Sequence, residues 1–292
     1  MSVSALRDLA DRLAKSDGSP NWIPYLVLRR AERGTGYEAL MYEPMLYFVL
    51  QGKKQLSVGR KTFTYGATDF LILSVDLPVN ARVLEASSAE PFLGIEIRLS
   101  RELAREGALA VLPASSPEAG PAFAVGSLSG ATVEVLTRLT MLLETPGDAA
   151  HLAPLYTREL LYRVGQSPQG HLLRDALRLG GQAAQIQRAI DWMKANFREK
   201  LSIDVLAQIA GMGMTTFHRH FKSVTNLSPG AYHKMLRLHE ARRLLLDAPT
   251  VSSVAFAVGY ESASQFSREY AAQFGAPPRR DMLSERSGSL ET

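Results

Sequence analysis

The sequence predicts an α+β protein. A β-rich N-terminal part, barrel or sandwich, carries flanking helices, and an all-α C-terminal part holds two helix-turn-helix units joined by a long helix. Three observations predict it. Residues 20–100 contain short apolar runs at intervals of about 8–12 residues, the spacing of a many-stranded antiparallel domain. From about Arg101 the apolar period becomes helical. One pattern then occurs twice: Ala207-x-x-x-Gly211 followed by Phe217-x-Arg219-x-Phe221, and Ala255-x-x-x-Gly259 followed by Phe266-x-Arg268-x-Tyr270.

The β runs are WIPYLVLRR, MLYFVL, KQLSVG, KTFTY, DFLILSV, ARVLEAS and PFLGIEIRLS. No helical segment separates them, which excludes an open parallel sheet. Gly59 suits the hairpin between QLSV and KTFTY, and YGATD is a second turn. The opening MSVSALRDLADRLAK is an amphipathic helix interrupted by Asp8 and Asp11. It lacks the apolar core of a signal peptide, so a cytoplasmic location is expected.

ATVEVLTRLTMLLE, LAPLYTRELLYRVG and HLLRDALRL are helices by period. Part of their apolar stripe (Val133, Leu136, Leu139, Leu143, Leu155, Leu160, Leu161) is expected to cover the β part. The remainder suits a two-fold contact with a second copy of the chain. Gly180-Gly181 breaks the pattern and divides the chain into residues 1–182 and residues 183–292.

Past that point every segment is helical. Gln185–Phe197 is amphipathic. Ser202 caps Ile203–Ala210, and Gly211 ends it. Met214–Val224 follows. Ser228 and Pro229 open a long helix to about Asp247, which Pro249 ends. Val251–Val258 is short, and Ser262–Phe274 runs up to Gly275.

The repeat has a mechanical logic. The alanine is small because the second helix crosses close above it, and the glycine permits a positive φ in the tight turn. Aromatics four residues apart share one face and bury it. The arginine, two residues from each, points away. This is the helix-turn-helix arrangement, in which the second helix enters the major groove and arginine can grip guanine O6 and N7. A connecting helix of ~27 Å can set two such helices about one DNA turn, ~34 Å, apart.

Charge agrees. Residues 1–182 hold 19 Lys+Arg and 19 Asp+Glu and sum to zero, whereas residues 183–292 hold 14 and 10 and carry the whole net charge of +4. Between Met214 and Arg243 lie Arg219, Lys222, Lys234, Arg237, Arg242 and Arg243 against Glu240, with four of the six histidines. Such a field attracts polyanions. A basic run is equally often a solvated helix face, so the charge alone does not decide; the matched repeat does. No apolar run reaches the ~18 residues of a membrane span. Cysteine is absent, which excludes disulfides, thiolate metal sites and cysteine nucleophiles.

LSIDVLAQIAGMGMTTFHRHFKSVTNLSPGAYHKMLRLHEARRLLL and VSSVAFAVGYESASQFSREYAAQFGAPPRR together resemble the DNA-binding domain of the AraC/XylS family of transcription regulators. EPMLYFVLQGKKQLSVG, TFTYGATDFLILSVDLPV and EASSAEPFLGIEIRLS resemble the cupin-like N-terminal barrel, followed by helices, of a subgroup. The resemblance implies that Thr215, His218 and Arg219 contact bases from the first recognition helix, with Thr216 and Lys222 near phosphate. It implies the same of Ser264, Gln265 and Arg268 in the second, with Ser262 at the helix start near the backbone. It further implies double-stranded DNA, RNA polymerase, a small-molecule effector and a second copy of the chain as partners. Three positions depart from the family pattern. Gly213 replaces the usual serine cap, at a cost of only a few tenths of a kcal/mol. Ala271-Ala272 replace basic residues, which should lower the salt slope by about one per lost phosphate contact. Tyr270 replaces Phe.

Other constellations fail. His218 and His220, two apart on a helix, face apart and make a poor metal pair. Residues 1–150 contain no histidine, which argues against a metal-dependent barrel enzyme. GSLSG has Leu128, not serine, at its centre and is no nucleophile elbow; it reads as a loop and helix cap. No phosphate-cradling Gly-Lys-Ser/Thr loop occurs. No cofactor, metal or catalytic residue is therefore expected. An architectural DNA binder and a barrel enzyme with a DNA-targeting tail are the alternatives. For an effector, Tyr47, Gln51, Lys53, Ser74 and Glu96 are the polar candidates on or beside strands, with Tyr47–Lys54 as the pocket wall.

Overall fold

A computed structural model of the chain describes residues 2–15, 22–59, 61–100, 103, 120–177, 181–245 and 250–281. It begins with α1 (Val3–Lys15), which buries Leu6, Leu9, Ala10 and Leu13 as its amphipathic period requires. Nine strands follow: β1 (Leu26–Ala31), β2 (Glu38–Tyr42), β3 (Met45–Gln51), β4 (Lys53–Val58), β5 (Lys61–Gly66), β6 (Asp69–Leu73), β7 (Leu77–Glu85), β8 (Phe92–Arg98) and β9 (Phe123–Ser127). They form a five-stranded sheet, β1-β8-β3-β6-β9, and a four-stranded sheet, β2-β7-β4-β5, every pair antiparallel.

The sheets remain separate ladders among the described residues, so the domain is a two-layer sandwich, one of the two forms that strand spacing allows, and not the closed cupin-like barrel that the family resemblance implies. Spacing locates most of the strands and their turns; it does not fix whether sheet edges pair. Two strands also escaped the period-two reading. In β2 the outward residues are only partly covered, and β9 is a short edge strand just before the helices.

β3 lies inside the five-stranded sheet, and both its faces are covered. That is why it reads as the continuous run MLYFVL. Leu46, Phe48 and Leu50 face the helical side with Phe70, Ile72, Ile95 and Ile97. Met45, Tyr47 and Val49 face the other sheet, against Leu56, Val58, Val79 and Ala81. The helical side is covered by α1, α2 (Gly130–Met141), α3 (Pro146–Gly165) and α4 (Gly170–Leu177). Ser129 caps α2 by accepting from the Thr132 amide at 3.1 Å, the cap expected in GSLSG. Val133, Leu136, Leu139, Leu143, Leu160 and Leu161 are all spent on this core. Of that stripe Leu155 stays exposed, as do Met141 and Tyr162 on the same two helices.

The C-terminal helices are α5 (Gln182–Ala195), α6 (Ile203–Ala210), α7 (Met214–Thr225), α8 (Pro229–Leu244), α9 (Val251–Ala257) and α10 (Ala263–Phe274). Gly180, half of the expected boundary signal, and Asp247 and Pro249, the expected end of the long helix, lie outside the described residues. The apolar interior does not stop at Gln182. Ile186, Ile190, Met193, Phe217, Phe221 and Tyr232 continue the core that lies between the sheets. The second unit, by contrast, has its own core of Leu238, Val254, Ala255, Phe266 and Tyr270.

Polar contacts pin the first unit to the sandwich. Asp76, 3 % exposed, lies just before β7. Its carboxylate accepts from Lys194 (2.9 Å) and Gln187 (3.0 Å) of α5. Its amide donates to Gln187 Oε1, and its carbonyl accepts from the Tyr232 hydroxyl of α8 (2.9 Å). Asn226, the left-handed cap of α7, donates to the Val58 carbonyl at the end of β4 (2.6 Å). The Ala122 amide donates to the Val224 carbonyl.

Candidate nucleic-acid interface

The two repeats fold as two helix-turn-helix units. Ser202 caps α6 by accepting from the Val205 amide, and Gly211 ends it at φ 67°. Phe217 and Phe221 are fully buried on one side of α7. Thr215, His218, Arg219 and Lys222 are exposed together on the opposite side, and Thr216 is half-buried at the edge. Gly213 takes the cap position with an extended backbone and no side-chain bond, so α7 starts without a polar cap.

In the second unit Ser262 caps α10 through the Gln265 amide (3.3 Å). Its hydroxyl is thus already engaged in holding the helix start. Phe266 and Tyr270 are fully buried, while Ser264, Gln265 and Arg268 are exposed. Arg219, Lys222 and Arg268 have no carboxylate within ion-pair distance among the described residues. Their charge is available to a polyanion.

The basic window divides once side chains are placed. Arg242 pairs with Asp281 and Arg243 with Glu240. Arg237 of α8 donates to four backbone carbonyls: Phe197 (2.7 Å), Glu199 (2.8 Å), Arg198 (3.0 Å) and Gly259 (3.1 Å). It ties the segment before α6 to the turn between α9 and α10. Gly259 is required there twice over: its φ is +87°, and a Cβ would stand 2.5 Å from the Arg198 carbonyl oxygen. His233 and His239 are pushed down to about 4, chiefly by burial, and carry no charge near neutrality. These two histidines therefore add nothing to the basic field.

A cleft of about 480 Å³ lies between the two units, lined in part by Lys200, Lys234, Tyr260, Gln265 and Glu269. Lys200 gives no signal in the sequence and Lys234 stands out only as one cation of the basic window, because neither belongs to the repeat. Glu269 is also new. It accepts from the Tyr260 hydroxyl (2.8 Å) and from Gln265 Nε2 (3.2 Å). An ionised carboxylate only accepts, so the Gln265 amide must turn its nitrogen inward and leave its carbonyl oxygen available to the groove. That presentation suits a base with an exocyclic amine, adenine N6 or cytosine N4.

Among the effector candidates, Tyr47 alone lines a cavity, of about 190 Å³, between the sheets. Gln51 donates to the Pro91 carbonyl (2.7 Å), and Lys53 pairs with Glu85 at the surface (2.8 Å). Ser74 donates to the Ala122 carbonyl (3.2 Å). Glu96 is held by Arg29 (2.7 Å) and Arg98 (3.1 Å). The cavity instead takes Lys54, Arg29 and Phe92. Strand parity separates the two lysines: Lys54 shares the inward face of β4 with Leu56 and Val58, and Lys53 faces out.

A two-layer sandwich followed by two helix-turn-helix units defines the class of DNA-binding regulators that carry an N-terminal accessory domain. The family model for the AraC-type transcriptional regulator N-terminus matches residues 22–172, more than half of the chain, and a helix-turn-helix domain model matches residues 206–282. The chain belongs to the AraC-type family of transcriptional regulators. It is 31 % identical over 155 residues to the HTH-type transcriptional regulator ArgR of Pseudomonas aeruginosa, covering 52 % of this chain and 46 % of that protein. It is 30 % identical over 151 residues to the virulence regulon transcriptional activator VirF of Yersinia enterocolitica, covering 51 % and 55 %. The chain thus spans about half the length of the curated relatives it matches. In fold it is similar to ToxT from Vibrio cholerae, with a TM-score of 0.57 at 9 % identity over 88 % of this chain and 96 % of that one. A second structure of that protein holds an unsaturated fatty acid; its TM-score is 0.56 at 7 % identity, over 88 % and 95 %. No helix among the described residues is long and apolar enough to cross a membrane.

Proposed function

We propose that this chain is a sequence-specific, DNA-binding transcription regulator. Residues 183–292 read two adjacent major grooves, and residues 1–182 respond to a small molecule. The observation that carries this is the pair of recognition helices, each burying its aromatics and exposing an unpaired arginine with polar neighbours on the other side. Thr215, His218 and Arg219 on α7 and Ser264, Gln265 and Arg268 on α10 are the base-facing groups. Thr216, Lys222 and the helix start at Ser262 meet the backbone, joined by Lys200 and Lys234 across the cleft between the units. The chain acts in the cytoplasm, performs no catalysis, and meets RNA polymerase and a second copy of itself at promoters.

Arg268→Ala should weaken binding to a selected site by about 1–3 kcal/mol and relax preference at one base position, the value of a bidentate contact. Lys222→Ala should instead weaken all sequences alike and lower the salt slope by about one. Anisotropy titrations against selected and scrambled duplexes at several salt concentrations distinguish the two. Equal losses on both duplexes for Arg268→Ala would remove that residue from the base-reading set. Glu269→Ala frees the Gln265 amide to flip, so preference for an amine-bearing base at its position should broaden while affinity for the best site changes by less than about tenfold. Selection from a pool randomised at that position checks this.

A further inference from the structure

We propose that the cavity between the two sheets binds a small organic monoanion, its carboxylate gripped by the Lys54 ammonium and the Tyr47 hydroxyl. Its apolar body lies against Phe92 and Val83. This rests on the regulator reading for its purpose, though the binding itself does not.

The cavity is built for such a guest. Lys54 points into the sandwich, an unusual place for a cation, with its Nζ 4.3 Å from the Tyr47 ring centre, 5.5 Å from Tyr42 and 5.9 Å from Phe92. Ring faces stabilise a cation without neutralising it. No carboxylate stands within ion-pair distance of Lys54 among the described residues, and the nearby Glu96 is taken by Arg29 and Arg98. Tyr47 is 2 % exposed, yet its hydroxyl has no hydrogen-bond partner, a costly state unless a guest supplies an acceptor. Room for the ring comes from Gly94, where a Cβ would lie 2.8 Å from the Tyr47 oxygen.

Size and charge narrow the class. A cavity of ~150 Å³ holds benzene, so about 190 Å³ accepts one ring, or a chain of similar bulk, carrying one carboxylate. The charged and titratable groups around Lys54 and its cavity are Arg29 and Arg30 on β1, Glu38 and Tyr42 on β2, Tyr47 on β3, Tyr65 on β5, Arg82 on β7 and Glu96 on β8; Arg30 is paired with Asp11 and Glu32, and Arg82 donates to Gln55. Burial first, and Arg29 second, bring Lys54 down to about 8. A bound anion favours the ammonium, so binding takes up protons and weakens as pH rises above about 8.

The test is isothermal titration of the full chain with benzoate and hexanoate, alongside benzamide and hexanamide as neutral isosteres. Both acids should bind at pH 7, and their amides at least about tenfold more weakly. Lys54→Met should abolish acid binding, Lys54→Arg should keep it within a few-fold, and Tyr47→Phe should weaken it about tenfold. Raising the pH to 9 should weaken binding to the wild type and leave Lys54→Arg unchanged. Absence of acid binding to the wild type, equal binding of acids and amides, or undiminished binding by Lys54→Met with a wild-type circular dichroism spectrum would overturn the proposal. The same samples are titrated with selected duplex DNA. Failure there with intact acid binding would sink the regulator reading alone, and the converse would sink the cavity assignment alone.

Discussion

Arg237→Ala should destabilise the C-terminal helices by about 3 kcal/mol or more and uncouple the two recognition helices. Hydrogen bonds from charged groups are worth about 1.5–3 kcal/mol each, and removing the donor leaves its acceptors short. Here one guanidinium serves four carbonyls, those of Phe197, Arg198, Glu199 and Gly259. The four do not add fully, because the carbonyls at the rim regain water. The geometric effect is the larger one. α8 spans ~24 Å at 1.5 Å per residue, but a rod alone does not fix the rotation of the units at its ends. Arg237 does, by tying the turn at Gly259 to the segment before α6. Urea unfolding should show the lost stability. Affinity for DNA with two boxes should fall towards that for one box, while each single box binds nearly as before. Unchanged two-box affinity would show that α8 and its apolar contacts suffice.

Asp76→Ala should cost about 2–3 kcal/mol and loosen the first unit against the sandwich. Its carboxylate is buried and meets Lys194 and Gln187, so removing it leaves the lysine only its longer contact with Glu43, at 3.9 Å. Lys194 keeps partial access to water, which holds the cost below that of a fully buried pair. The amide and carbonyl of residue 76 still reach Gln187 and Tyr232, so the interface should loosen without separating. Hydrogen exchange should speed up in α5 to α8 and stay unchanged in α10. β4 and β7 reach from the cavity to the first helix-turn-helix unit. Lys54, Ala81 and Val83 line the cavity, and Val58 and Asp76, at the ends of these strands, hold the reader. Uniform exchange across α5 to α10 in the variant would refute a local latch.

Much of this was legible in the sequence, for identifiable reasons. The repeated alanine, glycine and aromatic positions have single structural uses, so both reader units could be placed with their outward arginines. The caps at Ser202 and Ser228 and the one in GSLSG followed from side chain and position alone, whereas Ser262 was set at its helix start only by the family resemblance. What stayed hidden depends on long-range partners. Whether the sheets close is decided by edges that local spacing does not report. Arg237 looked like one more cation in a basic window, because its carbonyls come from segments about 20 and 40 residues away. Lys53 was chosen over Lys54 because the inward face of β4 is fixed by its pairing register with β5 and β7. Glu269 gave no signal, since its importance lies in two partners, Tyr260 and Gln265, and not in itself.

The most direct test of sequence-specific reading by two helices is selection of binding sites from random duplex DNA. It would use the full chain near physiological salt, repeated with Arg219→Ala and Arg268→Ala. Two short boxes about one helical turn apart are expected, with Arg219→Ala relaxing a base in one and Arg268→Ala relaxing a base in the other. Tight, salt-sensitive binding with no enriched sequence would contradict it and leave an architectural DNA binder.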